Sequence, residues 1–368
     1  MIPINLTDPG QPAIFEIRTI LRTKNNDPCH ALLLYARLTA KEDFMTQYCQ
    51  QKAGKVVIVG AGAVGATFAF ALALNGIAGE IVLLDRNMDL ADGQALDLAH
   101  GQPYFPIVNI RKGTEADYAD AQVIVITAGA KQEPGENRLS LIRKNAGIIE
   151  SIVDNVIEQN STAVLLMVSN PVDVLTHVAL KRSGWPRNRV IGSGTVLDSS
   201  RFRYLLSRHC DINTHNVHAY ILGEHGDSEF AAWSMTHIGG IQIDQYCPVC
   251  GKCEDWITER NKIEQRVRDS AYHIIDYKGA TYFAVGLALV KIVESILRNQ
   301  KSVLTISTYL EGEFGLNDVC LSMPAIVSQN GVDRIIESEL ISSEKEALNG
   351  SAAILKQSLA DLSKSRQS

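Results

Sequence analysis

The spacing Gly60-Ala-Gly62-Ala-Val-Gly65, with Asp85 twenty residues beyond the last glycine, suits the binding of a dinucleotide. Gly60 permits a tight turn, Gly62 lets the backbone approach a pyrophosphate, and Gly65 lets the next helix pack close to the sheet. The start of that helix attracts phosphate through its unpaired N–H groups and its dipole. A carboxylate at Asp85 accepts hydrogen bonds from both ribose hydroxyls and repels a 2′-phosphate, so NAD is expected over NADP, although Arg86 follows it. A tight strand–helix turn without a ligand is the alternative. A second group, Cys247-Pro-Val-Cys250-Gly-Lys-Cys253, has two successive CxxC spacings. They suit half of a zinc site, with His237 as a conceivable fourth ligand. A structural zinc normally draws on two paired ligand sets, so the expectation is no metal and a loop of thiols between two helices.

The elements that must hold these residues follow from hydrophobic pattern. Val56–Val59 is a short apolar run, as in a strand buried on both faces, and it leads straight into the glycines. Ala66–Leu74 reads as the helix behind them, stopped at Asn75-Gly76. Ile81–Leu84 is a second buried strand ending at Asp85, and Val123–Ile126 and Ala163–Val168 continue the series with helical stretches between. Strands alternating with helices predict a parallel sheet covered on both faces. Helical spacing returns at Ile263, Val267, Ala271 and Ile274, from Ala284 to Leu297, and at Leu348, Ala352, Leu355, Leu359 and Leu362. Between them Val303–Tyr309 is β-rich. The fold class is therefore α/β, a Rossmann-type parallel-sheet dinucleotide-binding domain over 55–195 followed by an α+β catalytic domain over 196–365.

Residues 1–54 read differently. Turn signals at Asp8-Pro9-Gly10 and Asn25-Asn26-Asp27-Pro28 leave one apolar stretch, Ala31–Tyr35, that suits a short helix. This segment is expected to be an N-terminal extension, with Met45 as a native start and the first 44 residues without catalytic role.

Composition excludes several classes. Of 368 residues, 35 are Lys or Arg and 41 Asp or Glu, a net charge of −6 without the basic stripe that a duplex needs, so nucleic acid is not expected as a partner. No apolar run approaches the length of a membrane span. Seven cysteines, an odd number, with neither a basic start nor an apolar core in the opening residues, point to a reducing cytoplasm rather than a disulfide framework.

Four further motifs, Thr127-Ala-Gly-Ala130, Ser169-Asn170-Pro171, Leu197-Asp198-Ser-Ser-Arg201 and Gly223-Glu-His225-Gly-Asp227, occur in an order that resembles the L-lactate/malate dehydrogenase family from about Lys55 to about Lys364. The resemblance implies reduction of a 2-oxo acid by hydride and proton. It makes His225 the acid/base, a task for which imidazole suits because it titrates near neutrality. It makes Asp198 the acid that orients His225, Arg138 the cation that polarises the carbonyl, and Arg201 the guanidinium that grips the substrate carboxylate. Asn170 would help hold the substrate, and Val64, Thr127 and Gly129 would join Gly60, Gly62, Gly65 and Asp85 around the cofactor. Singly, Asp198 equally fits a helix cap, and Asn170 a cap before Pro171. The segment Ala128–Leu139, with Gly129, Pro134 and Gly135, is expected to be a hinged loop that carries Arg138 inward.

Within that resemblance, malate dehydrogenases carry an arginine six residues before the Arg138 position to pair a second carboxylate. Here that position is Gln132, followed by Glu133. A neutral amide cannot balance a buried carboxylate. Gln132 and Thr281 match the lactate side of the family, so pyruvate and L-lactate are the expected substrates. Arg203 and His218 match positions that hold fructose 1,6-bisphosphate in regulated bacterial members. The resemblance thus implies activation by that anion, with pairs from two subunits meeting in a homotetramer.

Overall fold

The computed structural model describes residues 54–130, 138–252 and 254–367. The extension with Met45 and the proposed helix at Ala31–Tyr35 lie outside these, as do Gln132, the middle of the Arg138 loop and Cys253.

Five strands and their helices form the nucleotide-binding half: β1 Lys55–Val59, α1 Ala63–Asn75, β2 Glu80–Leu84, α2 Met88–His100, β3 Asn109–Lys112, β4 Val123–Ile126, α3 Arg138–Glu158, β5 Val164–Met167 and α4 Val172–Ser183. Then come β6 Val190–Gly192 and α5 Val196–Cys210. A run of two-residue strands follows: β7 Val217–His218, β8 Ile221–Leu222, β9 Phe230–Ala231, β10 His237–Ile238 and β11 Ile241–Gln242. The chain ends with α6 Ile243–Cys250, α7 Trp256–Lys278, α8 Phe283–Leu297, β12 Ser302–Glu311, β13 Asn317–Ser328, β14 Gly331–Ile335 and α9 Ser342–Gln367.

Strands β3-β2-β1-β4-β5-β6 are parallel neighbours in that order. This is the doubly wound order whose direction reverses between β1 and β4, where a crevice opens at the strands' carboxyl ends. Side chains alternate across β1, so Val56 and Ile58 join one core with Phe68, Leu72, Leu289 and Val293. Val57 and Val59 join another with Ile149, Val153, Leu175 and Leu355. Helices thus cover both faces, and each fully buried Ile, Leu or Val contributes roughly 1.5–3 kcal/mol relative to its exposed state.

The expectation of an appended α+β unit takes a particular form. Strand β12 pairs antiparallel with β6 at Ser307 and Gly192, so β12, β13 and β14 continue the same sheet to nine strands. Lys55–Ser368 form one compact unit. A third core gathers Phe202, Leu206, Val217, Trp233, Ile238, Ile263 and Val267 beneath the short strands. The cysteine segment differs from the loop expected of it. Cys247 and Cys250 lie in α6, which continues through Pro248 because Ile243 and Cys247, four residues apart, bury one face of it.

Candidate active site

The glycine turn joins β1 to α1 beside the end of β4. Gly60 has φ +110, and a Cβ there would meet Thr127 Oγ1 at 2.7 Å. Thr127 itself donates to Gly60 O at 2.8 Å, locking the turn to β4. At Gly65 a Cβ would stand 1.9 Å from Gly60 O, so only glycine lets the helix approach this closely. Gly62 is exposed with nothing within 4 Å of a Cβ, and no side chain caps α1. The first N–H groups of α1 are therefore left to a ligand. Asp85, half-buried at the end of β2, accepts from Ala61 N at 2.8 Å and Asn87 N at 2.9 Å, one on each oxygen. Each oxygen keeps a lone pair for a hydroxyl, and the set fits an NAD. Val64 stands half-buried at the start of α1. Gly129 is exposed, and a Cβ there would make only ordinary contacts, the nearest 3.5 Å, so sterics do not require glycine at that position.

The titratable groups of the site gather around the seven-residue loop 223–229 between β8 and β9. Gly223 anchors it to β13, exchanging N–H···O bonds of 3.1 and 2.9 Å with Ser322. At its centre, His225 Nδ1 lies 2.7 Å from Asp198 Oδ2. Asp198 is in the first turn of α5, 1% exposed, and its Oδ1 accepts from Arg201 Nη1 at 2.5 Å. Asp198 is thus no helix cap. Burial alone would raise its carboxyl, but the charges of His225 and Arg201 hold it below the usual range. For His225 burial works against the imidazolium, yet the Asp198 carboxylate wins and raises the ring to about 9. With Nδ1 held by the carboxylate, Nε2 is the ring atom that can exchange a proton.

The other expected residues gather less tightly. Arg138 opens α3, 64% exposed, with Nη2 3.3 Å from Oε1 of Glu224, the neighbour of His225. Asn170 is exposed, and its Oδ1 accepts from Val172 N at 3.3 Å as α4 begins. Thr281 is half-buried between α7 and α8 and makes no hydrogen bond to these residues. Arg203 Nε donates to Val217 O at 2.8 Å, the residue before exposed His218. Strand pairing places His237 opposite His218.

Four residues that spacing and motif did not single out complete the site. Asn145 is buried in α3; its Oδ1 accepts from Ala130 N at 2.7 Å and its Nδ2 donates to Asn170 O at 2.9 Å, joining the loops after β4 and β5. Asp173, buried in α4, accepts His225 N–H at 2.8 Å and fixes the loop's height. Burial pushes its carboxyl up to about 6. Glu224 and Glu229, both 5% exposed, flank His225 in the same loop. Asp173 and the two glutamates were visible as acids near motifs, but only tertiary contact distinguishes them from solvated charges. Among the described residues, the metal-type ligand group with atoms within 4.8 Å of one another is Asp198, His225 and Glu229; Cys247, Cys250 and His237 form none. Nor, among the described residues, is any helix long and apolar enough to cross a membrane.

Comparison with known proteins follows the same division. Residues 54–192 match the lactate/malate dehydrogenase NAD binding domain, and residues 195–365 match the alpha/beta C-terminal domain of that family. An L-lactate dehydrogenase of Treponema denticola is 55% identical over 314 residues, 85% of this chain and 99% of that protein. Another, from Acetivibrio thermocellus, is 50% identical over 82% of this chain and 95% of its own length. The crystal structure of a lactate dehydrogenase from a Medee basin deep-sea metagenome library superposes with TM-score 0.83 at 42% identity, covering 85% of this chain and 99% of that one. The ligand-bound minor L-lactate dehydrogenase of Enterococcus mundtii gives 0.82 at 41% identity, covering 84% and 98%.

Proposed function

The chain belongs to the lactate/malate dehydrogenase family and is an NAD-dependent oxidoreductase with L-lactate dehydrogenase activity; on that premise we propose how its own residues perform the reaction. NAD, when bound along Gly60, Gly62, Val64, Gly65, Asp85, Thr127 and Gly129, supplies or accepts the hydride. Arg201 grips the carboxylate of pyruvate, keeping one edge on Asp198 and offering the other. Asn170 and Thr281 contact the rest of the substrate, and the neutral amide of Gln132 offers no partner to a second carboxylate. Arg138 draws negative charge onto the carbonyl oxygen, and His225 Nε2 gives that oxygen its proton. Asp198 holds the ring through Nδ1 and stabilises its charged form. In lactate oxidation neutral His225 takes the proton back. The observation that carries this reading is the 2.7 Å contact between His225 and buried Asp198, with Arg201 on the acid's other oxygen.

The sign of the pH dependence follows. Pyruvate reduction needs the protonated ring, whose pKa is raised to about 9, so its rate holds through neutral pH and falls through that value. Lactate oxidation needs the neutral ring and rises over the same range. Steady-state profiles in both directions check this; two limbs centred near pH 6.5 would show that Asp198 does not act on the ring.

The choice of pyruvate over oxaloacetate rests on Gln132 and on relatives named L-lactate dehydrogenases. We also propose that Arg203 and His218 bind fructose 1,6-bisphosphate between subunits of a homotetramer, where like charges otherwise face each other. The odd number of cysteines supports a reducing cytoplasm as the setting. One assay tests both: NADH oxidation with pyruvate or oxaloacetate, each with and without the bisphosphate. Pyruvate-selective turnover raised by the bisphosphate is expected. Oxaloacetate preference overturns the assignment to Gln132, and a pyruvate KM unchanged by the bisphosphate overturns the regulatory site.

A further inference from the structure

Glu229 closes the catalytic loop at the edge of β9. Its backbone is fixed at both ends: its N–H donates to Gly226 O at 3.2 Å, and its carbonyl accepts Arg268 Nη1 at 3.1 Å from α7. Its side chain is buried, and its carboxylate lies within 4.8 Å of ligating atoms of both Asp198 and His225. The His225–Asp198 pair and Arg201 carry the proposed reaction without a task for this acid.

We propose that Glu229 is a positioning residue of the proton exchange, the third member of a buried Asp198–His225–Glu229 group that sets the pH at which His225 gives up its proton. The proposal rests on the reading of His225 as acid/base. The groups that face Glu229 are Asp198 and Arg201 from α5, Arg268 from α7 and His225, and Asp173 from α4 faces His225 in turn. Three titrating groups this close release protons as a set. Burial, then the charge of Asp198, holds the Glu229 carboxyl well above the ordinary range, despite His225, Arg201 and Arg268. It therefore ionises only above the ordinary carboxylate range, beside the ring it faces. The new negative charge then favours the imidazolium, so the ring keeps its proton to higher pH than Asp198 alone would allow. The acid thereby extends pyruvate reduction into the alkaline range without touching substrate.

The test reads the ring directly. Diethyl pyrocarbonate acylates neutral imidazole, and peptide mass measurement of His225 modification across pH gives its midpoint independently of turnover. In Glu229→Gln the midpoint is expected to fall by about one pH unit, so below both midpoints His225 is modified about tenfold faster. The alkaline limb of pyruvate reduction should move down with it, and Glu229→Asp should restore most of the difference. Where the glutamine variant does not fold, Glu229→Leu removes the same charge and gives the same reading. An unchanged midpoint in the folded variant overturns the proposal and leaves Glu229 as packing. His225→Gln separates the two readings: if it retains activity the acid/base assignment itself fails, whereas an inactive His225→Gln beside an unshifted midpoint defeats only Glu229.

Discussion

His225→Gln is expected to lower pyruvate turnover about a thousandfold while NADH binding is unchanged, since a positioned acid/base contributes typically 10²–10⁴-fold. Glutamine is near in size and can still donate an N–H toward Asp198, so the loop anchored by Gly223 and Asp173 should stay in place. What it lacks is a proton that can leave. The residual rate should also lose its alkaline limb, because no group with a pKa raised to about 9 is left on the reaction path. Steady-state kinetics with NADH fluorescence titration measure both. A loss below tenfold would mean that water or another side chain supplies the proton.

Arg201→Lys should be almost as damaging, through binding rather than proton transfer. The guanidinium is 12% exposed on its side chain and already bound to Asp198 by Nη1, so it alone can serve the buried acid and a substrate carboxylate together. An ammonium has no second planar edge. Truncating one partner of a buried hydrogen-bonded charge pair costs 2–5 kcal/mol, so pyruvate kcat/KM should fall about a thousandfold, mostly as a higher KM. A loss carried by kcat with KM unchanged would place Arg201 in orienting Asp198 alone. Because positive charge is retained, the experiment separates two-edged grip from simple attraction.

Sequence legibility tracked distance along the chain. Gly60, Gly62, Gly65 and Asp85 lie within one βαβ unit, so spacing alone suggests a shared task, and at Gly65 a Cβ would stand 1.9 Å from Gly60 O. His225 and Asp198 are 27 residues apart, and no local period joins them; only the resemblance of several motifs in order did. Asp173, Glu224, Glu229 and Asn145 were not distinguished, because a buried acid and a solvated one look alike until the chain folds around them. The run Val303–Tyr309 read as β, yet nothing in it told that β12 would extend the parallel sheet by antiparallel pairing with β6. The Cys247–Cys250 segment departs from the expected loop for a different reason. Proline and glycine suggested a loop, while burial of Ile243 and Cys247 favours a helix there.

The proposed mechanism needs a charged imidazole facing the substrate oxygen, which can be tested most directly without turnover. Oxamate has the shape and charge of pyruvate but accepts no hydride, so its affinity for the enzyme–NADH complex reports the protonation of His225. Binding is expected to be constant through neutral pH and to weaken tenfold per unit above about pH 9, and to lose that dependence in His225→Gln. Oxamate binding by the unmodified protein that stays flat beyond that pH would contradict the assignment of His225 as the proton donor.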